Sequence, residues 1–180
     1  PRRSHPHGSA HAGGAPHLGI NALNAANLAM QGIALQWETF QEEDKIRIHP
    51  IITRGGSAVS SVPANVTMEM FIRSASIQGM KDAEIKVDQA LRAGAMAIGA
   101  TVEISTSPGY MPSKFCEELN QTYDLAAVEL VGESGSGRMP HRTSSTDMGD
   151  VSMIMPTMQS YVGGASGRTH SNEFEITDWG

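Results

Sequence analysis

The sequence predicts an α+β fold: a split βαβ (ferredoxin-like) unit with a four-stranded antiparallel sheet and two helices on one face. Two long stretches with apolar residues at steps of three and four, and a cleanly alternating stretch between them, carry that prediction. Asn21 to Trp37 reads as the first helix, with Leu23, Ala26, Met30, Ile33 and Trp37 on one stripe and Asn24, Asn27 and Gln31 off it. Pro16, Gly19 and Asn21 punctuate its entry, and Gln41-Glu42-Glu43-Asp44 ends it. Lys45 to Thr53 reads as a strand, Ile46 and Ile48 alternating with Arg47 and His49 until Pro50 interrupts the run. Arg54-Gly55-Gly56-Ser57 is a turn. Asn65 to Arg73 is the clearest strand, with Val66, Met68, Met70 and Ile72 on one side and Thr67, Glu69, Phe71 and Arg73 on the other. A second helix covers Met80 to Ile98, its face made of Ala83, Val87, Ala90, Leu91, Gly94 and Ile98, with Gly99 as its C′ residue. Thr101 to Ser105 is a short strand closed by Pro108-Gly109. An extended Gly8 to Ala12 would supply the first strand and complete the order β-α-β-β-α-β, leaving one sheet face open or covered by something else.

Beyond Pro112 the character shifts. Ser113 is placed to cap a third helix bearing Phe115, Leu119, Tyr123, Ala126 and Leu130. Gly132 to Thr146 is polar and rich in Gly and Ser, Val151 to Met155 is a strand candidate, Gly163 to Gly167 is a loop, and Phe174-Glu175-Ile176 is a last strand. This tail has too little apolar periodicity to build a core of its own, so it reads as part of a larger domain. The first residue is Pro1 rather than Met, which suggests a processed, cloned or excerpted piece.

Bulk composition narrows the class. At 180 residues, 39% hydrophobic and 18% charged, with a mean hydropathy of −0.24, the chain can bury a core. Its net charge of −6 argues against a phosphate-binding surface, and so against nucleic acid. It contains neither a long apolar run nor a basic-then-apolar leader, so no membrane is expected. The single Cys116 excludes an intrachain disulfide. A soluble cytoplasmic protein is the expectation. The 11 methionines fit irregular core gaps, and the 19 glycines fit many tight turns.

Residue by residue, the chemistry is thin. Seven histidines are present, four of them (His5, His7, His11 and His17) near the start. His5 and His7 share the spacing of a metal-binding pair on a strand, but no carboxylate or cysteine occurs in the first 37 residues to complete a site, so solvated terminal histidines are the better reading. Asp147 and Asp150 lack the oxygen ligands that would follow in a calcium loop. Gly163 to Gly167 has the composition of an anion cradle, although most such loops are only loops. P-loop, dinucleotide, CxxC and GxSxG motifs are all missing.

Taken in order, the segments resemble a known family. Gly8-Ser9-Ala10-His11-Ala12-Gly13-Gly14-Ala15-Pro16-His17-Leu18-Gly19-Ile20-Asn21-Ala22-Leu23 is similar to the entry of the lid, or dimerisation, domain of the co-catalytic zinc aminoacylase/carboxypeptidase G superfamily. Arg47-Ile48-His49-Pro50-Ile51-Ile52-Thr53-Arg54-Gly55-Gly56, Val62-Pro63 and Ile72-Arg73 continue the likeness. Ser145-Thr146-Asp147-Met148-Gly149-Asp150-Val151-Ser152 and the Gly163 to His170 loop resemble the close of its catalytic domain. The nearest subgroup is that of amidohydrolases with aminobenzoyl-glutamate hydrolases and β-alanyl-lysine-type dipeptidases. The resemblance implies a lid/dimerisation domain over 1–110 and the C-terminal part of an α/β zinc-peptidase catalytic domain over 111–180.

It also implies roles. His11 matches the lid histidine that reaches the partner subunit's site and steadies an oxyanion. Arg73 matches an arginine that grips the substrate carboxylate. Gly163 and Gly164 match the loop flanking the substrate, and His170 matches the last zinc ligand. The complete enzyme would hold two zinc ions, or other divalent metals, and pair as a homodimer through the lid sheet edge. Its substrate would be a small amide or dipeptide, an N-acyl or N-aminoacyl amino acid. Three departures accompany the likeness. Ser60 stands where relatives carry an asparagine and has a shorter reach. Pro1 to His7 does not look like the family's strand. The other zinc ligands and the catalytic glutamate, N-terminal to the lid in relatives, have no counterpart here, so the chain alone is expected to be inactive. The rival reading is a catalytically inactive dimerisation or ligand-binding module of the same fold.

Overall fold

The computed structural model describes residues 1–139, 146–168 and 170–177. His141, Ser145 and Thr169, which fall within segments discussed above, lie outside the described residues. The first unit runs β1 (Arg2–His7), α1 (Ala22–Leu35), β2 (Arg47–Arg54), β3 (Thr67–Arg73), α2 (Ile77–Ile98) and β4 (Thr101–Thr106). Its sheet has the order β2-β3-β1-β4 with every pair antiparallel, which is the split βαβ arrangement.

The first strand is where the sequence reading fails. It is Arg2–His7 and not Gly8–Ala12, and it lies in the middle of the sheet. Two prolines obscured the strands, and the hydrogen-bond pattern explains why both are tolerated. Val66 N donates to Pro6 O at 3.1 Å and Gly8 N to Ala64 O at 2.7 Å, so even-numbered residues of β1 and β3 bond to each other. Pro6 has no N–H to return to Val66, and the β1–β3 ladder runs only over Arg2–Ser4. By the same alternation, Arg47, His49 and Ile51 of β2 turn their backbone toward β3, and Pro50 turns its missing donor to the open edge. The strand therefore passes through Pro50 without a break.

Both helices are set by caps. The Asn21 side chain accepts from Leu23 N and Asn24 N, and Ser76 accepts from Gly79 N, starting α2 three residues before the expected Met80. Gly99 ends α2 at φ 74°. The buried stripe of α1 is Ala22, Ala25, Ala26, Ala29 and Ile33, with Leu23 and Met30 packed at its margin and Trp37 left exposed. Small side chains face α2 because the helices nearly touch: a Cβ on Gly94 would stand 2.6 Å from Ala25 O. The core is completed by Val66, Met68, Met70, Val87 and Leu91.

The later segment corrects two further expectations. α3 is Glu117–Val131, preceded by Cys116 rather than capped by Ser113. Val151 belongs to a short helix, α4 (Met148–Ser152), not to a strand. The tail ends in a hairpin of β5 (Ala165–Ser166) and β6 (Glu175–Ile176). Among the described residues no helix is long and apolar enough to cross a membrane.

Candidate functional site

The two ends of the sheet carry different equipment. At the end where β3 finishes, a cleft of about 1550 Å³ opens between the sheet and the later segment. Arg73 lines it, as does Gly163 on the far side, and Phe71, Tyr110, Tyr123 and Tyr161 give it ring walls. The Arg73 guanidinium carbon stands over the Phe71 ring, 5.8 Å from its centroid, within cation–π range. Arg138 also lines the cleft, bonded to Asp124 at 2.7 Å. Those hydrogen bonds, to Asp124 first and then to Glu117, raise its pKa above the ordinary arginine value and hold it charged. Asp150 accepts from Met111 N at 2.8 Å, which makes it a loop brace in the cleft wall.

At the opposite end, two loops form a tip. His11 lies on the loop after β1, and its carbonyl accepts from Val62 N at 2.8 Å. Gly13 N donates to Ser60 O at 2.7 Å, and Ala12 bridges Ser61. His11 is half-buried, and its Nδ1 is enclosed with no hydrogen-bond partner among the described residues. Ser60 is exposed. The structure thus brings the His11 and Ser60 loops together, and sets Arg73 and Gly163 in the lining of one cleft. Thr67 to Arg73 spans about 20 Å at roughly 3.3 Å per residue, and the tip lies beyond Thr67. Side chains stand across a sheet rather than along it, so the two groups of one chain do not converge.

The remaining candidates are placed as follows. Gly164 O accepts from Thr177 N at 2.8 Å beside the β5–β6 hairpin. His170 is exposed in that hairpin's turn, at φ 64°. Among the described residues no three His, Cys, Asp or Glu side chains gather as a metal-binding group. His5 and His7 are strand residues rather than loose terminal ones, with Nδ1 atoms 3.3 Å from Thr67 Oγ1 and 2.8 Å from Asn65 Oδ1.

One feature escaped sequence reading altogether. Arg2 is 5% exposed, yet it lines the cleft and pairs with Glu84 at 2.6 Å and with Asp88. The only sequence signal is a charged residue in phase with the buried Ser4 and Pro6 of its strand, opposite Glu84 and Asp88 at helical spacing.

The split βαβ sheet, with an arginine-bearing cleft at one end and a histidine-bearing tip at the other, is that of a peptidase dimerisation domain. The chain belongs to the M20 peptidases: residues 7–97 match the peptidase dimerisation domain of that family. Mus musculus Xaa-Arg dipeptidase is 28% identical over 158 residues, 85% of this chain and 36% of that protein. Its Homo sapiens counterpart is 26% identical over 174 residues, 92% of this chain and 38% of that protein. The chain therefore spans little more than a third of the curated relatives it matches. Aminopeptidase PepT from Bacillus cereus shares the fold at a TM-score of 0.76 and 20% identity, over 98% of this chain and 46% of its own. So does the aminobenzoyl-glutamate utilization protein from Klebsiella pneumoniae, at 0.63 and 20%, over 82% and 38%.

Proposed function

We propose that residues 1–110 form the lid and 111–180 the C-terminal catalytic part of a metal-dependent amidohydrolase that cleaves N-acyl or N-aminoacyl amino acids as a homodimer. The observation that carries this reading is the separation of Arg73 from the His11 tip. If both act on one small amide, they come from different subunits. The names of the curated relatives suit it, since a dipeptide is an N-aminoacyl amino acid.

Each residue then has a distinct task. Arg73, in the cleft wall, pairs its planar guanidinium with the substrate's carboxylate through two parallel hydrogen bonds. The cation–π contact with Phe71 favours keeping the guanidinium in the cleft before substrate arrives. Gly163 flanks the bound amide without adding a side chain. His11 of the other subunit donates from its ring to the carbonyl oxygen as negative charge grows there, and Ser60 beside it adds a weaker, shorter-reaching donor.

M20 peptidases are metal-dependent, commonly through zinc. The described residues do not by themselves make a metal site, because three or four protein ligands are needed and His170 is the single matching position. We assign His170 as one ligand, for zinc or another divalent cation, to a site completed by residues outside this chain.

Kinetics of the full-length protein test the assignment. Arg73→Ala should raise KM on the order of 100-fold for substrates with a free carboxylate, and scarcely change it for the matching carboxamides. His11→Ala should lower kcat by about 100- to 1000-fold with metal content unchanged. Equal losses on carboxylate and carboxamide substrates would remove the role of Arg73.

A further inference from the structure

We propose that Val59 is a specificity-determining residue of this site, contacting the acyl or aminoacyl side chain of a substrate held in the cleft of the second copy. The proposal rests on the preceding reading that the His11 tip acts across the dimer.

Local geometry makes the assignment. Ser61 N donates to Ala58 O at 3.3 Å, closing a tight turn whose two central residues are Val59 and Ser60. Their Cα atoms are about 3.8 Å apart, so Ser60 cannot approach a ligand without bringing Val59 to it. Val59 is fully exposed, at 109% of its reference area. Single exposed apolar residues are ordinary on a protein surface, so exposure alone decides nothing. Position decides it: the chain just after Val59 is tied to the His11 loop, by Gly13 N to Ser60 O at 2.7 Å and Val62 N to His11 O at 2.8 Å. Gly19, on the neighbouring loop, is packed so closely that a Cβ there would stand 3.2 Å from Val62 Cβ. The next residue back, Leu18, is 59% exposed. The tip is a braced knob that presents an isopropyl group beside a hydroxyl.

The cleft supplies the complementary surface. Phe71, Tyr110, Tyr123 and Tyr161 line it with rings, and its volume of about 1550 Å³ exceeds the roughly 300–1000 Å³ of ordinary small-ligand sites. Substrate and an inserted turn fit together in such a space. With the carboxylate held at Arg73, the opposite end of the amide faces whatever covers the cleft. Val59 covering it favours apolar acyl groups over charged ones.

Mixed dimers of two differently tagged full-length chains test this, one chain carrying Arg73→Ala. The surviving site then takes Arg73 from the unmodified chain and the tip from the Arg73→Ala chain. Val59→Asp on the Arg73→Ala chain should lower the kcat/KM ratio of apolar N-acyl to cationic N-aminoacyl substrates by on the order of 10–100-fold. The same substitution on the other chain should leave the ratio within about twofold. A ratio that stays constant in both mixtures, or that follows Val59→Asp on the Arg73-bearing chain, overturns the proposal while the hydrolase reading stands. Absence of amide hydrolysis by the unsubstituted protein overturns both. Because Val59 is exposed, Val59→Asp should leave the stability of either chain unchanged within about 0.5 kcal/mol.

Discussion

Residues 1–106 pack an apolar core beneath a partly apolar surface, while the described residues of 111–177 bury no hydrophobic side chain. Every buried hydrophobic side chain among the described residues falls between Ala22 and Ala95. In α3 no residue is buried, and Leu125 and Leu130 are 75% and 84% exposed, as is Ile154 at 84%. Charge divides the same way: nine Lys and Arg balance nine Asp and Glu before residue 111, whereas four face ten after it. The first region has capped helices, a packed core and a continuous sheet. The second has one helix, Glu117–Val131, with no buried residue, so its apolar side chains gain little from packing.

That difference predicts how the two regions respond to truncation. Met68→Ala, at a fully buried position in β3, should cost about 2–5 kcal/mol of unfolding free energy in a urea titration. Ser4→Ala should be close to neutral, or stabilising by up to about 1 kcal/mol, because the fully buried hydroxyl has no hydrogen-bond partner among the described residues. Leu130→Ala should change stability of the 180-residue chain by less than about 0.5 kcal/mol. A loss of about 2 kcal/mol or more at Leu130 would mean that α3 packs on this chain after all, and would erase the contrast.

Much of the first region was legible because period and capping agree. The alternation of Val66 to Arg73 and the Asn21 entry to α1 each correspond to a physical requirement the structure meets. β1 was illegible because its helix-facing residues are Arg2, Ser4 and Pro6, a charged, a polar and a donor-lacking residue where a core strand ordinarily has apolar ones. Its burial depends on Glu84 and Asp88, more than eighty residues away, and on two neighbouring strands. The stripe on α1 shifted toward alanines because contact with α2 rewards small side chains, which periodicity does not reveal. In the second region, four apolar residues from Val151 to Met155 suggested a strand, but Asp150 and Ser152 tie that segment to Met111 and Lys114 as a helical turn. His11, Ser60 and Arg73 could be singled out by resemblance. Their grouping into two opposite ends depends on strand order and register, which no local pattern carries.

Complementation between two inactive variants tests the shared site most directly. Full-length His11→Ala and Arg73→Ala chains, each nearly inactive alone, are mixed, allowed to exchange subunits, and assayed for amide hydrolysis. If one chain's tip serves the other's cleft, each mixed dimer holds one site with both substitutions and one with neither. The mixture should then regain about a quarter of the unsubstituted activity, half its dimers being mixed and half their sites intact. Exchange of subunits with no recovery of activity would mean that His11 and Arg73 serve the same chain's site, and would contradict the account.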